Sequence, residues 1–310
     1  MIRALTLLLT ASLPTLLAQS PLPPCESALC RLQASGSLPS LRWPDFNDFQ
    51  TRIQDFYQPT GYALAWIRDG AVTPQAKAAI ETLQEADAKG LNPEDYDGSR
   101  WAGRVSGLGA ANQPPTESAA AEFDLALTVS VMRYISDLHF GRANPGLFHT
   151  RFGVADEQLD LPAFLRQRLL QANDVKAALE EIEPPYQGYR RTERALQQYI
   201  AMARDDPGAL LPVTKKPIEP NGSYAAAAQL ASRLRQLGDL PRDGSMPLDS
   251  STYAGPLVEA VKRFQARHGL DADGRLGKAT VEQLNTPLSD RVRQLQFSLE
   301  RWRWVPHSFP

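Results

Sequence analysis

The sequence of 310 residues predicts a mainly α-helical protein, with a larger N-terminal helical domain followed by a small three-helix module. Three observations support this prediction. Apolar residues recur at three- and four-residue steps in many segments, which is the period of an α-helix. The 25 prolines fall mostly between those segments, where the fixed φ of proline is tolerated. Strand patterns are scarce, and the best of them, at residues 62–67, is short.

Residues 1–19 have the composition of a secretory signal peptide. Arg3 supplies a positive charge, residues 5–17 form an apolar run, and Ala18 offers a small residue near a cleavage point. An uncleaved N-terminal anchor is the alternative, although the run is short for a membrane span. No later segment is apolar for long enough to cross a bilayer. We therefore expect export to the periplasm or cell envelope, with a flexible segment at residues 20–44.

The chain has two cysteines, Cys25 and Cys30, close to the expected cleavage point. In an oxidising compartment they can form a short-loop disulfide, and two free thiols are the alternative. A catalytic thiol is not expected, because no histidine or lysine stands beside either cysteine to lower its pKa.

The first domain is expected at residues 45–204 as a helical bundle. Thr73-Pro74 is typical of an N-cap followed by proline at the first helical position. The longest helix is expected from about Ser118 to Leu138, and it is apolar around most of its girth, as in the buried centre of a bundle. Residues 103–115, rich in Gly, Ala and Pro, predict irregular chain. Further helices are expected at residues 161–171, 175–182 and 188–203.

Residues 205–222 are expected to link the two domains, because they hold four prolines and show no helical period. Residues 223–286 then predict three short helices around one small core, a compact but viable unit. Apolar positions of the first helix run from Ala227 to Leu237, and those of the second from Leu257 to Phe264. The third helix is short.

One ordered set of residues in this module resembles the peptidoglycan-binding type 1 module. Its defining residues are Val261, Phe264, Gln265, Gly269, Asp273, Gly274, Gly277, Thr280 and Leu284. Gly274 and Gly277 are expected to adopt backbone conformations that a Cβ would penalise. The resemblance implies that the partner is peptidoglycan, bound through its glycan strands or its stem peptides.

Ligand-binding residues are expected beside the second helix of the module. Arg263, Arg267 and His268 can offer hydrogen-bond donors to carboxylates and hydroxyls. His268 also has a structural explanation, since a histidine at a helix C-terminus interacts favourably with the helix dipole. Asp271 and Asp273 do not predict a calcium loop, because glycine follows too early for an EF-hand.

Residues 287–310 extend the family resemblance. Another helix is expected there, and the passage RVRQLQFSLERWRWVP is similar to the connection into the catalytic domain of the large L,D-transpeptidases of Gram-negative bacteria. Residues 134–142, YISDLHFGR, resemble the scaffold domain of the same enzymes. The resemblance covers residues from about 45 to 306.

The resemblance also implies which catalytic parts to look for. L,D-transpeptidases use a cysteine nucleophile in an S-H-G-C motif with an upstream histidine, and the sequence has no such motif. The four histidines lack metal-ligand spacing and no cofactor fingerprint appears, so no catalytic residue, cofactor or metal is expected. The net charge of −2 gives no reason to expect nucleic acid as a partner.

The sequence therefore predicts a non-catalytic wall-binding and scaffold protein, a truncated or incomplete L,D-transpeptidase acting in cell-wall remodelling. Residues 287–310 would then lead toward an absent catalytic domain. Two alternatives stay open. An envelope adaptor could dock a partner protein through Trp302 and Trp304, which would form an exposed apolar patch if nothing covered them. A wall enzyme could instead have an unrecognised active site in the helical domain.

Overall fold

The structure is a computed structural model that describes residues 25–109, 114–143, 159–241 and 251–307. The helices of the first domain are α1 (Ala28–Ala34), α2 (Gln50–Tyr57), α3 (Pro74–Gln84), α4 (Trp101–Gly107), α5 (Glu117–Phe140), α6 (Leu161–Phe164), α7 (Val175–Glu180) and α8 (Gln187–Arg204). Those that follow are α9 (Ala227–Gln236), α10 (Pro256–Arg267), α11 (Lys278–Leu284) and α12 (Leu288–Arg303). The predicted mainly α fold is confirmed. The expected signal peptide lies outside the described residues.

Helix α5 is the centre of the first domain, as its apolar girth predicts. Thr116 caps its N-terminus by accepting a hydrogen bond from the backbone of Ala119. Helices α1, α3, α4 and α12 all contact it. Its residues on every face are buried, including Phe123, Leu127 and Tyr134. Burial on all sides explains why the sequence of this helix shows no polar stripe.

Two short segments differ from the sequence-based predictions. The strand predicted at residues 62–67 is wrong in position, because β1 (Ile67–Arg68) and β2 (Ala71–Val72) form a two-residue antiparallel hairpin further along the chain. Gly61 and Tyr62 both have positive φ, which interrupts extended chain there. Part of the stretch predicted to be irregular is helix α4, which the fully buried Trp101 anchors.

The N-terminal segment that was expected to be flexible packs on the bundle over residues 25–44. Helix α1 is capped by Ser27, and the backbone of Ala28 donates to the Glu117 carboxylate at the start of α5, at 3.0 Å. Leu29 and Leu38 are each 2% exposed and belong to the main core. Burial of these apolar side chains therefore holds the segment on the bundle.

The second domain has its own core, formed by α9, α10 and α11. The residues predicted as a linker contribute to that core, because Leu211 is buried among its side chains. The side-chain amide of Asn285 makes two hydrogen bonds with the backbone of Leu211. It accepts from the Leu211 N–H and donates to the Leu211 carbonyl, both at 2.8 Å. Ile218 forms a β-bridge with Leu276. The module is thus larger than its three helices.

Helix α12 returns to the first domain and packs antiparallel to α8. The Tyr186 hydroxyl, just before α8, donates to the carbonyl of Pro306, just after α12. Between these ends, Leu196 and Leu299 form a small buried cluster. Arg303 is 3% exposed and donates to the Lys89 carbonyl at 2.5 Å. The two domains are therefore connected by α12 as well as by the chain that precedes α9.

No helix in the described parts of the chain combines the length and apolar character needed to cross a membrane.

Candidate binding site

The side chain of Gln265 holds the turn between α10 and α11. Its amide nitrogen lies 3.0 Å from both Asp273 Oδ1 and the Arg275 carbonyl, and 3.2 Å from Thr280 Oγ1. Its amide oxygen accepts from the backbone N–H of Gly274 at 2.9 Å. Gln265 is 2% exposed, so this polar cluster is satisfied within the core. The hydrogen bonds explain why Gln, Asp, Gly and Thr occur together in the motif.

The other motif residues have structural roles as well. Val261, Phe264 and Leu284 are buried in the module core. Gly274 has φ +73°, and a Cβ there would lie 2.9 Å from Val258 Cγ1, so glycine is required as predicted. The same prediction is wrong for Gly277, whose φ of −81° is ordinary and whose Cβ position is open.

A groove of about 210 Å³ opens beside this rigid turn. Its residues come from α11, from the turn and from the chain before α9, and include Pro217, Leu270, Asp271, Arg275 and Ala279. Arg275 is half exposed and pairs with Glu219 across the surface, with Nε 2.9 Å from Glu219 Oε1. An exposed charged pair of this kind exchanges partners at low cost. The groove therefore offers a cation, carboxylates and an apolar edge on a rigid support.

The predicted ligand-binding arginines lie on the other face of α10. Arg263 Nε donates to the Asp239 carbonyl at 3.0 Å, and Arg267 forms two hydrogen bonds with the Asp239 carboxylate, at 3.2 and 2.5 Å. Arg267 also donates to the hydroxyl of Tyr199, in α8, at 3.1 Å. Both arginines therefore stabilise the end of α9, and Arg267 connects the module to the first domain.

His268 packs against the core of the module. Its ring lies 4.1 Å from that of Phe264, centroid to centroid. Its Nε2 is buried and has no hydrogen-bond partner within the described ranges. Burial, together with the charges of Arg267 and Arg291, lowers the pKa of His268 to about 4. The ring is therefore neutral at physiological pH and offers no positive charge to a carboxylate.

A buried ionic cluster lies in the first domain. Lys89 Nζ is 2.8 Å from Glu183 Oε1 and also pairs with Glu193, and Arg190 contacts both carboxylates. Burial disfavours the Lys89 ammonium, but the two carboxylates outweigh this effect and raise its pKa. The Glu183 side chain is fully buried, and burial raises its pKa despite the nearby lysine. The cluster is internally paired, as a structural ion network requires.

The C-terminal tryptophans, on which the adaptor alternative depends, lie against the first domain. Trp302 stacks on Tyr186 with ring centroids 5.8 Å apart, and its ring packs directly on Gly188. Trp304 donates to the Glu300 carboxylate at 3.1 Å and lies against Gly141. Glycines in the first domain make room for both indole rings. The surface on which the adaptor alternative depends is therefore partly buried.

Two further predictions concern cysteine and metal chemistry. The structure joins Cys25 and Cys30 in a disulfide at the start of α1. Among the residues that the structure describes, no three His, Cys, Asp or Glu side chains are grouped closely enough to hold a metal ion.

Comparison with known families agrees with this architecture. Residues 51–196 match the family described as "Scaffold domain", and residues 223–284 match the family described as "Putative peptidoglycan binding domain". No curated protein matches the chain. The matched ranges lie within the domains predicted at residues 45–204 and 223–286, whose exact limits stay predictions. The chain therefore contains a scaffold domain followed by a peptidoglycan-binding module, and both matches bear out its predicted resemblance to the N-terminal part of a murein L,D-transpeptidase.

Proposed function

We propose that this chain binds peptidoglycan through the groove of its C-terminal module and supplies the wall-binding and scaffold part of cell-wall remodelling. Residues 1–19 would direct its export to the periplasm. In this proposal the chain itself makes and breaks no bond in the wall. Its partner is peptidoglycan, and no cofactor or nucleic acid takes part.

The observation that carries this proposal is the rigid turn held by Gln265 beside an open groove. Recognition needs polar groups held in place before the ligand arrives, because ordering them on binding costs free energy. The Gln265 amide holds Asp273 and the backbone of Arg275 in place, while the half-exposed Arg275 side chain can turn from Glu219 to a carboxylate of a stem peptide. The groove thus presents one arginine and two carboxylates to a stem peptide.

Three exposed alanines allow a matched test of where the wall binds. Ala279→Trp would fill the groove, Ala266→Trp would cover the face of α10 that carries Arg263 and Arg267, and Ala102→Trp would change a distant surface of the first domain. Each variant would be mixed with purified sacculi and the bound fraction measured after sedimentation.

We expect Ala279→Trp to reduce binding at least tenfold, and Ala102→Trp to bind like the unchanged protein. Loss of binding in Ala266→Trp alone would reject the groove and support the earlier assignment of ligand contacts to Arg263, Arg267 and His268. Unchanged binding in both module variants would reject the module as the wall-binding site.

A further inference from the structure

A second groove lies in the first domain, between α1 and α2, far along the chain from the module. Its volume is about 790 Å³, within the range of ligand-binding clefts and well above the 210 Å³ of the module groove. One wall comes from residues 25–34, including the disulfide, and the other from α2 and the turn after it. The peptidoglycan-binding motif of the module and the proposed function do not account for this groove.

Three glutamines line α2 along the groove at four-residue spacing. Gln50, Gln54 and Gln58 share one face and span about 12 Å of helix rise, which is roughly the length of a disaccharide. Gln50 is used structurally, because its amide donates to the Ala34 carbonyl at 3.0 Å. The amides of Gln54 and Gln58 form no protein hydrogen bond within the described ranges, so both line the groove with donors and acceptors that are open to a ligand.

A tyrosine ring also lines the groove. Tyr62 follows the turn after α2 and is half-buried. Its φ of +61° is unusual for a bulky residue, and such strain persists only where the surroundings enforce it. The ring stacks on Tyr57 at 6.4 Å, and the Tyr57 hydroxyl is fixed by the Asp124 carboxylate at 2.7 Å. The aromatic face is therefore presented from a rigid support.

The chemistry of the groove selects an uncharged ligand. Among the residues that the structure describes, Glu26 is the one charged side chain that lines it, and the described lining includes no arginine or lysine for the carboxylates of a stem peptide. Primary amides match the hydroxyl and acetamido groups of a sugar, since they donate and accept at fixed positions. An aromatic face matches the apolar face of a sugar ring. The groove thus has the character of a glycan site.

We propose that the groove between α1 and α2 binds the glycan backbone of peptidoglycan, a chain of N-acetylated sugars. This site is additional to the module groove, which is lined by charged side chains, and it lies in a different domain. The two grooves would let one molecule contact both the glycan and the peptide components of the wall. Two linked contacts raise the overall affinity for a polymer beyond that of either one.

The test uses the full chain and a soluble tetramer of β-1,4-linked N-acetylglucosamine, with binding measured by calorimetry and ligand-observed NMR. The paired variant Gln54→Ala/Gln58→Ala removes the free amides, and Tyr62→Asn removes the ring with a residue that tolerates positive φ. Gln198→Ala, an exposed glutamine of α8 outside the groove, is the matched control. Tyr62→Phe keeps the ring. Thermal unfolding of each variant checks the fold.

We expect both Gln54→Ala/Gln58→Ala and Tyr62→Asn to weaken tetramer binding at least fivefold, with Gln198→Ala and Tyr62→Phe unchanged. If Tyr62→Asn does not fold, the paired glutamine variant decides alone. No tetramer binding by the unchanged chain, with sacculus binding intact, would overturn this inference and leave the proposed function standing. Equal tetramer binding by the groove variants, or its loss in Ala279→Trp, would also overturn it.

Discussion

Replacing Gly188 by alanine gives a sharp test of how α12 is held on the scaffold domain. A Cβ at this position would lie 2.2 Å from Cζ2 and 2.4 Å from Cη2 of Trp302. Ordinary carbon contacts are about 3.5–4.0 Å, so the indole ring must move by more than about 1 Å. The ring is also stacked on Tyr186, which limits its movement. Such overpacking typically costs about 1–3 kcal/mol.

Helix propensity acts in the opposite direction at this site. Within a helix, alanine is favoured over glycine by about 0.5–1 kcal/mol. We therefore expect Gly188→Ala to lower the free energy of unfolding by a net 1–2 kcal/mol, roughly the difference between these effects. Gly103→Ala is the matched control, since Gly103 lies in helix α4 with no atom near its Cβ position. The control should be stabilised by about 0.5–1 kcal/mol.

The assay is urea denaturation followed by far-ultraviolet circular dichroism. A double-mutant cycle with Trp302→Leu should give a coupling energy of about 1 kcal/mol or more, because the added methyl finds room once the indole ring is removed. If Gly188→Ala is stabilised to the same extent as Gly103→Ala, helix α12 is not packed on α8 as described, and the reasoning is refuted.

Three further predictions concern buried polar groups. Gln265→Leu should destabilise the module by about 2–4 kcal/mol in thermal unfolding, because it leaves the Gly274 N–H and its neighbours without partners, and an unchanged melting temperature would contradict the role of this cluster. Lys89→Met should lower the free energy of unfolding by about 3–5 kcal/mol, because the buried Glu183 carboxylate loses its lysine partner. The double variant Lys89→Met/Glu183→Gln should recover part of that loss in the same thermal unfolding measurement. Burial raises the pKa of Asp124 to about 6, so the folded state holds this proton more tightly than the unfolded chain does, and the contribution of Asp124 to stability rises as pH falls through 6 toward 4. Compared with Asp124→Asn, the unchanged protein should gain up to about 3 kcal/mol in the free energy of unfolding as the pH falls from 7 to 4. If the stabilities of the two proteins change in parallel with pH, the pKa of Asp124 is not raised.

The sequence predicts those parts of the fold that depend on local patterns. Thr73 caps α3 and Pro74 occupies its first position as expected, because capping is decided by neighbouring residues. The central helix α5 was found from its apolar content alone. The motif around Gln265 likewise predicted the module through its family resemblance, and its residues contact one another where α10 leads into α11.

Features that depend on distant contacts could not be predicted in this way. The apolar face of α12 shows that the helix is amphipathic but not that Gly188, in a different domain, receives Trp302. The arginines of α10 looked available for a ligand, yet Asp239 and Tyr199 occupy Arg267. A polar row such as Gln50, Gln54 and Gln58 predicts a solvated surface unless the wall opposite it is known.

The most direct test of the central claim measures two quantities on the same sacculi after incubation with the purified chain. One is the amount of protein that sediments with the wall, and the other is the muropeptide composition of that wall by chromatography. We predict saturable retention, reduced at least tenfold by Ala279→Trp, with a muropeptide profile identical to that of untreated sacculi. Absence of retention, or the appearance of new or missing cross-links, would contradict the claim.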